Sequence, residues 1–383
     1  MTQKTGAPII GNILIAAEYG APQSGNFIAS LLDLADALKK EGSETVFLFP
    51  EGSSKCAWVN WIRENGYTVC FHNFSDEQDA QLRSVEEIIR THAIKLFHLH
   101  FGCLEALLLN HYKELKVKLV IHDHFDFVTT RSQLRQRAST LRNAMLYRRS
   151  DAFCISVMEK KDRWYRFLGK SRHAYIPNGL SLRRAEQDPL SREDRRREIG
   201  LKEDEKMVLF LGWDMLRKGL DVAIKAVELC RKTDPGLKIG VIGVGADGKP
   251  TEKAQAFLKE RGVDPFSEAI VYMHSYEDIF ALNRAVDCYI SSSRAEAFSY
   301  GILEAISQNT PVVCSDIVGT SWCWGYDNCF RYPVEDPEAC AEALRKALSR
   351  GRAPSNRESF IHEYSNENWT KKILDVYRRM MGS

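Results

Sequence analysis

A doubly wound α/β architecture in two domains is what this sequence predicts, and three observations carry the prediction. The chain has 383 residues, more than one hydrophobic core comfortably serves. Short runs of strand length recur along it, apolar throughout rather than alternating, as in strands covered on both faces. Segments of helical periodicity separate those runs, the pattern of strand–helix–strand units on a parallel sheet.

In the first half the runs are GNILIAA, ETVFLFP, YTVCFHN, KLFHLH, KLVIHD, DAFCIS and HAYIPN. In the second they are KMVLFLG, LKIGVIG, AIVYMH, DCYISSS, PVVCSD and NCFRYP. Between them SLRRAEQDPLSREDRRREIGLKEDE is dense in charge and poor in apolar residues. It predicts a linker with a short exposed helix. A first domain over 1–182 and a second over 183–365 follow. The closing stretch 366–383 sets Trp369, Ile373, Leu374, Val376 and Tyr377 in an apolar stripe, predicting a helix that can cross back to the first domain.

Hydrophobic residues at 44%, charged residues at 27% and a net charge of +2 exclude a disordered chain and wholesale nucleic-acid binding. The ten cysteines include no C-x-x-C pair, so neither a zinc site nor a redox dithiol is signalled. Several lie in apolar runs, where a thiol acts as a small hydrophobe, which predicts a reduced, cytoplasmic protein. The first residues lack the pattern of a signal peptide, and no run reaches 18 apolar residues.

The strongest local signal is DCYISSSRAEAFSYGILEAISQNTPVVCSD. A strand ends at Ser291–Ser293, Glu296 follows in a loop, and a helix beginning near Phe298 carries Glu304. The amides of Phe298, Ser299, Tyr300 and Gly301 fall in its first turn, unpaired within the helix, and suit a diphosphate. A carboxylate at Glu304 can accept two hydrogen bonds from a vicinal diol such as ribose. Spacing alone leaves open that both glutamates are solvated surface charges.

This segment resembles the E-x7-E signature of the retaining family-four glycosyltransferases of GT-B fold. Further landmarks resemble the family's in the same order along nearly the whole chain: FHLHFG, VIHD, AYIPNGL, FLGWDMLRKGLDVAIKAVE and VIGVGADG. The resemblance implies two Rossmann-like domains facing across a cleft, a nucleotide-sugar donor, retention of anomeric configuration, and no metal or other cofactor. It points to uridine rather than guanosine as the donor base. The acceptor is then a carbohydrate, lipid-linked or other hydroxyl, in polysaccharide or glycoconjugate biosynthesis.

Carried over residue by residue, it makes Glu296, Lys218 and His122 catalytic. Donor binding falls to Glu304, the Phe298–Gly301 amides, Gly243, Gly245, Gly25, Arg217 and Asn178 of the Pro-Asn-Gly element. His124 competes with His122, and His100 ends another strand; a lone histidine is more often structural. Two departures stand out. Trp213 occupies the place where the family usually has arginine, leaving Arg217 as the second cation beside Lys218. Ser24 stands where the family has the first of two glycines.

VIGVGADG also spells G-x-G-x-x-G, which read alone suggests a nicotinamide enzyme; no acidic residue closes the next strand, so a turn lining the nucleotide pocket is preferred. RSQLRQRASTLRNAMLYRRS sets six arginines over 131–149 without an acid, either a contact for an anionic membrane surface or a solvated helix face. A catalytically weak GT-B binding subunit is the alternative that Trp213 raises.

Overall fold

The computed structural model describes residues 10–102, 104–125, 145–169, 171–185, 191–276 and 279–382. The chain divides into two compact units, one of Met1–Ser181 with Asn366–Ser383, the other of Leu182–Ser365. Most of the basic stretch, 131–144, lies outside the described residues.

The first unit is built on strands β1 (Asn12–Ala17), β2 (Thr45–Pro50), β3 (Thr68–His72), β4 (Ile94–His100), β5 (Lys118–Asp123), β6 (Phe153–Ser156) and β7 (His173–Tyr175). They form one sheet in the order β3-β2-β1-β4-β5-β6-β7, parallel at every pairing. These are the seven apolar runs of the first half. Their interiors are covered on both faces: Ile13, Leu14, Ile15, Ala16 and Ala17 of β1 are all fully buried. The helix Gly25–Lys40 lays Ile28, Leu31, Leu32, Ala35 and Leu38 on the sheet and ends in Lys39 and Lys40, favourable charges at a helix C-terminus. Each such fully buried leucine or isoleucine contributes roughly 1.5–3 kcal/mol.

The helix Asn366–Met381 completes this unit by burying Trp369, Ile373, Leu374, Val376 and Tyr377. Asn366 fastens its start, donating from its backbone to the Leu180 carbonyl at 3.0 Å and from Nδ2 to Asp33 at 2.7 Å. Arg378 pairs with Glu41 near its end.

In the second unit β8 (Lys206–Leu211), β9 (Leu237–Ile242), β12 (Ile270–Met273), β13 (Cys288–Ser291), β14 (Val312–Ser315) and β15 (Cys329–Tyr332) form a parallel sheet in the order β12-β9-β8-β13-β14-β15. A two-stranded hairpin of β10 (Gly245–Ala246) and β11 (Lys249–Pro250) follows β9. Strand order reverses at β8/β13, and the carboxyl ends flanking such a reversal are where open α/β sheets place ligands. Among the described residues, no helix is long and apolar enough to cross a membrane.

The charged stretch before β8 departs from the exposed helix expected of it. The helix Arg192–Glu198 is capped by Ser191, whose Oγ accepts from the Asp194 amide at 3.1 Å. Its Arg196 is buried, donating to the carbonyls of Ala285 at 3.0 Å and Glu205 at 2.5 Å and to Asp287 at 3.1 Å. A guanidinium with that many fixed acceptors packs inside without an apolar neighbour pattern to announce it.

Candidate active site

The loop after β8 is shaped by its own side chains. Asp214 caps the short helix Met215–Lys218, accepting from the Arg217 amide at 3.1 Å. Gly219 then turns the chain at φ +68° into the helix Leu220–Arg231. A Cβ there would lie 2.0 Å from the Ser292 carbonyl oxygen, so only glycine lets the two loops touch. Ser292 Oγ donates to the carbonyls of Lys218 at 3.0 Å and Gly219 at 2.8 Å. Arg294 completes the join: its amide reaches the Arg217 carbonyl at 2.7 Å, and its guanidinium grips buried Asp221 through two bonds of 3.0 and 2.9 Å. Those bonds to Asp221 hold the Arg294 pKa above its ordinary value.

This stitching brings three sequence-predicted residues together. Lys218 Nζ donates to Glu296 Oε2, and Arg217 Nη1 stands 3.7 Å from Glu296 Oε1. Glu296 has a side chain only 10% exposed, against 20% for Lys218 and 34% for Arg217. The site is therefore an almost enclosed carboxylate under two cations, not a pair of solvated surface charges.

The helix carrying Glu304 spans Tyr300–Ser307, two residues later than expected, because Ser299 is its cap and accepts from the Ile302 amide at 3.4 Å. Tyr300 and Gly301 remain the first two helical positions, while Phe298 stays in the loop before the cap. Its ring, rather than a helical amide, is engaged, stacked on Trp322 at 4.4 Å and 14°. Glu304 is buried. Both glutamates sit close enough to buried Tyr289 for their fields to add to burial in raising its phenol pKa, Glu304 more than Glu296. Gly301 lies over that same ring: a Cβ there would be 2.2 Å from the Tyr289 hydroxyl.

Gly243 (φ +105°) faces the loop after β8, where a Cβ would meet Gly212 and Trp213 backbone at 3.0–3.1 Å. Gly245 opens the β10–β11 hairpin, and the next helix begins only at Glu252. A dinucleotide fingerprint needs a helix N-terminus directly after its glycine turn, so the literal motif here is not one. Trp213 is 73% exposed.

In the first unit the histidines form a row that spacing alone had presented as separate residues. His98 and His100 on β4 point to the same face as His122 on β5, with His100 in register with His122. Ring centroids lie 4.2 Å apart for His98–His100, 4.8 Å for His100–His122 and 4.4 Å for His122–His124. His100 is thus not a lone structural histidine; its Nδ1 is 2.9 Å from His124 Nε2. Tyr377 Oη is 2.6 Å from His98 Nδ1, and His98 Nε2 is 3.2 Å from His122 Nδ1. Burial lowers all three β4 and β5 imidazoles, His98 to about 3, with neighbouring histidines adding to the effect. They are neutral at pH 7. His100 Nε2 and His122 Nε2 are buried with no hydrogen-bond partner among the described residues.

Asp123, the partner of His122 in sequence, is occupied elsewhere, accepting from Tyr165 Oη at 2.7 Å and the Phe125 amide at 3.0 Å. Gly25 begins its helix at φ +56° beside the Tyr19 hydroxyl. Asn178 is buried, its Oδ1 without a hydrogen-bond partner among the described residues.

Residues 191–364 match the family model of glycosyl transferases group 1. The lipopolysaccharide glucosyltransferase WaaG of Escherichia coli is 30% identical over 47% of this chain and 47% of its own. A D-inositol 3-phosphate glycosyltransferase of Saccharomonospora viridis is 27% identical over 54% and 50%. The chain spans about half the length of these curated relatives. Among solved structures, HepE of Anabaena in complex with UDP-glucose superposes with a TM-score of 0.75 at 16% identity, covering 95% of this chain and 98% of that one. Sucrose-phosphate synthase of Thermosynechococcus elongatus gives 0.75 at 15%, covering 97% and 99%. Residues 191–364 are thus similar to the glycosyl transferases group 1 family, and the fold of the chain is GT-B.

Proposed function

We propose that the chain moves a sugar from a nucleoside diphosphate sugar to an acceptor hydroxyl, with retention at the anomeric carbon and no metal at the reacting centre. The observation that carries this reading is the meeting of Lys218, Arg217 and Glu296 beyond the ends of β8 and β13, beside the Ser299-capped helix that bears Glu304. Two cations and the amides of Tyr300 and Gly301 suit a diphosphate. That diphosphate competes with Glu296 for the cations and turns its carboxylate toward the hydroxyls of the donor sugar. Glu304, buried one turn into the helix, accepts from the two ribose hydroxyls.

As the bond between the anomeric carbon and the leaving phosphate lengthens, charge grows on the phosphate oxygen, where Lys218 and Arg217 stabilise it. The same oxygen takes the acceptor's proton while the acceptor oxygen bonds to the anomeric carbon on that face. His122, in the first unit, offers a hydrogen-bond donor. Tyr377 Oη and His98 Nδ1 are hydrogen-bonded, and we take the phenol as the donor. His98 then carries its proton on Nε2 and donates to His122 Nδ1, leaving an N–H on His122 Nε2. A neutral donor of that kind suits a sugar hydroxyl or a phosphate oxygen.

HepE, solved with UDP-glucose, and WaaG, a glucosyltransferase of lipopolysaccharide, support a uridine donor, a hexose and a glycoconjugate acceptor here. A lipid-linked acceptor fits a peripheral site at the inner face of a membrane, through the basic 131–149 stretch. A second reading, a binding subunit of low turnover, is favoured by exposed Trp213 where a cation is expected. One experiment decides: the purified chain is screened against nucleoside diphosphate sugars for binding and slow donor hydrolysis. Binding with turnover supports the transferase; binding without turnover on any acceptor supports the subunit.

A further inference from the structure

Three cysteines, nine and six residues apart in sequence, meet in the second unit. Cys314 lies on β14, Cys329 opens the neighbouring β15, and Cys323 ends the 3-10 turn Val318–Cys323 that connects them. Because Val312 is in register with Cys329, Cys314 sits two residues further along the adjacent strand and presents its thiol to the same face. The Sγ–Sγ distances are 3.9 Å for Cys314–Cys323, 3.6 Å for Cys314–Cys329 and 3.7 Å for Cys323–Cys329. A tetrahedral ion with metal–sulfur bonds of about 2.3 Å spaces its sulfurs by about 3.8 Å. The observed triangle has that size on all three edges.

Cys314 and Cys323 are fully buried while Cys329 is half-buried, so the cluster is shielded yet reachable from one side. Arg331, two residues beyond Cys329, stacks its cation on Trp324.

We propose that Cys314, Cys323 and Cys329 form a structural site for a soft divalent cation of the zinc type, with water as fourth ligand. Binding replaces three S–H bonds by three metal–sulfur bonds and releases three protons, leaving a complex of net charge −1 beside Arg331. The site matters to the carboxylate loop through the turn it anchors. A Cβ on Gly319 would lie 1.6 Å from the Glu296 carbonyl oxygen, and Trp322 stacks on Phe298. Fixing Cys323 fixes the turn on which that loop rests.

The test is titration of the reduced, metal-stripped full chain with Co(II), then Zn(II). The expected result is a thiolate-to-cobalt charge-transfer band saturating at one ion per chain, bleached by zinc, with three protons released and three fewer thiols reacting with a thiol reagent. Cys329→Ser removes the band, whereas the control Cys70→Ser keeps it. Zinc raises the melting temperature of the wild type and leaves that of Cys329→Ser unchanged. Should Cys329→Ser fail to fold, the wild-type stoichiometry still decides. No saturable band with all three thiols still reactive overturns the site, as does a Cys–Cys disulfide in the chain as purified under non-reducing conditions with no bound metal.

Discussion

The two units place their chemistry at the same point of the same kind of sheet and use opposite electrostatics. In the first, the ends of β4 and β5 present imidazoles stripped of charge by burial. In the second, the loops after β8 and β13 gather two cations around one carboxylate. A buried neutral ring acts through which nitrogen bears the proton, a property set by its neighbours. A partly exposed cation acts through charge and needs only position. The histidine row should therefore be sensitive to pH and to its hydrogen-bond partners, the lysine cluster to removal of charge.

The largest effect expected is on the stability of the first unit at mildly acidic pH. His98, His100 and His122 have folded pKa values lowered from 6.5, so the unfolded chain binds more protons than the folded one below that pH. The stability they contribute is whole above pH 6.5 and is lost as pH falls toward 3. Three such groups give a slope of up to about 4 kcal/mol per pH unit. Denaturation followed by hydrogen exchange in each unit checks this; equal acid sensitivity in the second unit, which among the described residues holds no buried histidine, would break the contrast.

Next comes Arg294→Ala, which strands Asp221 as a buried carboxylate and should cost about 3 kcal/mol. A denaturant midpoint shift confined to the second unit is the expected readout, and an unchanged midpoint would contradict the pairing. Lys218→Ala removes charge-assisted contacts worth roughly 1.5–3 kcal/mol, a fall in kcat/KM of about 10- to 150-fold if they act at the transition state. Activity within twofold of wild type would remove Lys218 from the mechanism.

Smaller still is Tyr377→Phe, which deletes a phenol buried remote in sequence from any loop. It should lower kcat by no more than about tenfold, since one neutral hydrogen bond is worth about 1 kcal/mol. The telling signal is in nitrogen NMR: His122 should be protonated on Nε2 in the wild type and become a mixture of tautomers in the variant. An unchanged tautomer would leave Tyr377 a packing residue only.

What the sequence disclosed follows from how each feature is made. Strands covered on both faces are written as continuous apolar runs, so all thirteen strands of the two main sheets were legible. Glu296, Lys218 and Glu304 were picked out by the resemblance of their segments to a known family; spacing alone left the glutamates open to being solvated charges, and the meeting of Lys218 with Glu296 is visible only in the structure. The helix start was misplaced by two residues since Ser299, not the apolar pattern, sets it. Arg294 was missed because its use depends on Asp221, 73 residues away. FHLH and VIHDH did carry a signal for the histidine row: residues two apart on a strand share a face. Their pairing, however, comes from the register of β4 on β5. The thiol triangle was hidden for the same reason, its members joined by strand adjacency rather than by a short motif.

The claim on which the rest depends is that the cations at Glu296 receive a diphosphate. Calorimetric titration of UDP into the wild type and Lys218→Ala, each shown to be folded, tests it directly. Saturable binding to the wild type, weakened at least tenfold in the variant and not reproduced by NAD, is the predicted result. Equal affinity of UDP for both proteins, or no binding of UDP, GDP or their sugars to either, would contradict it.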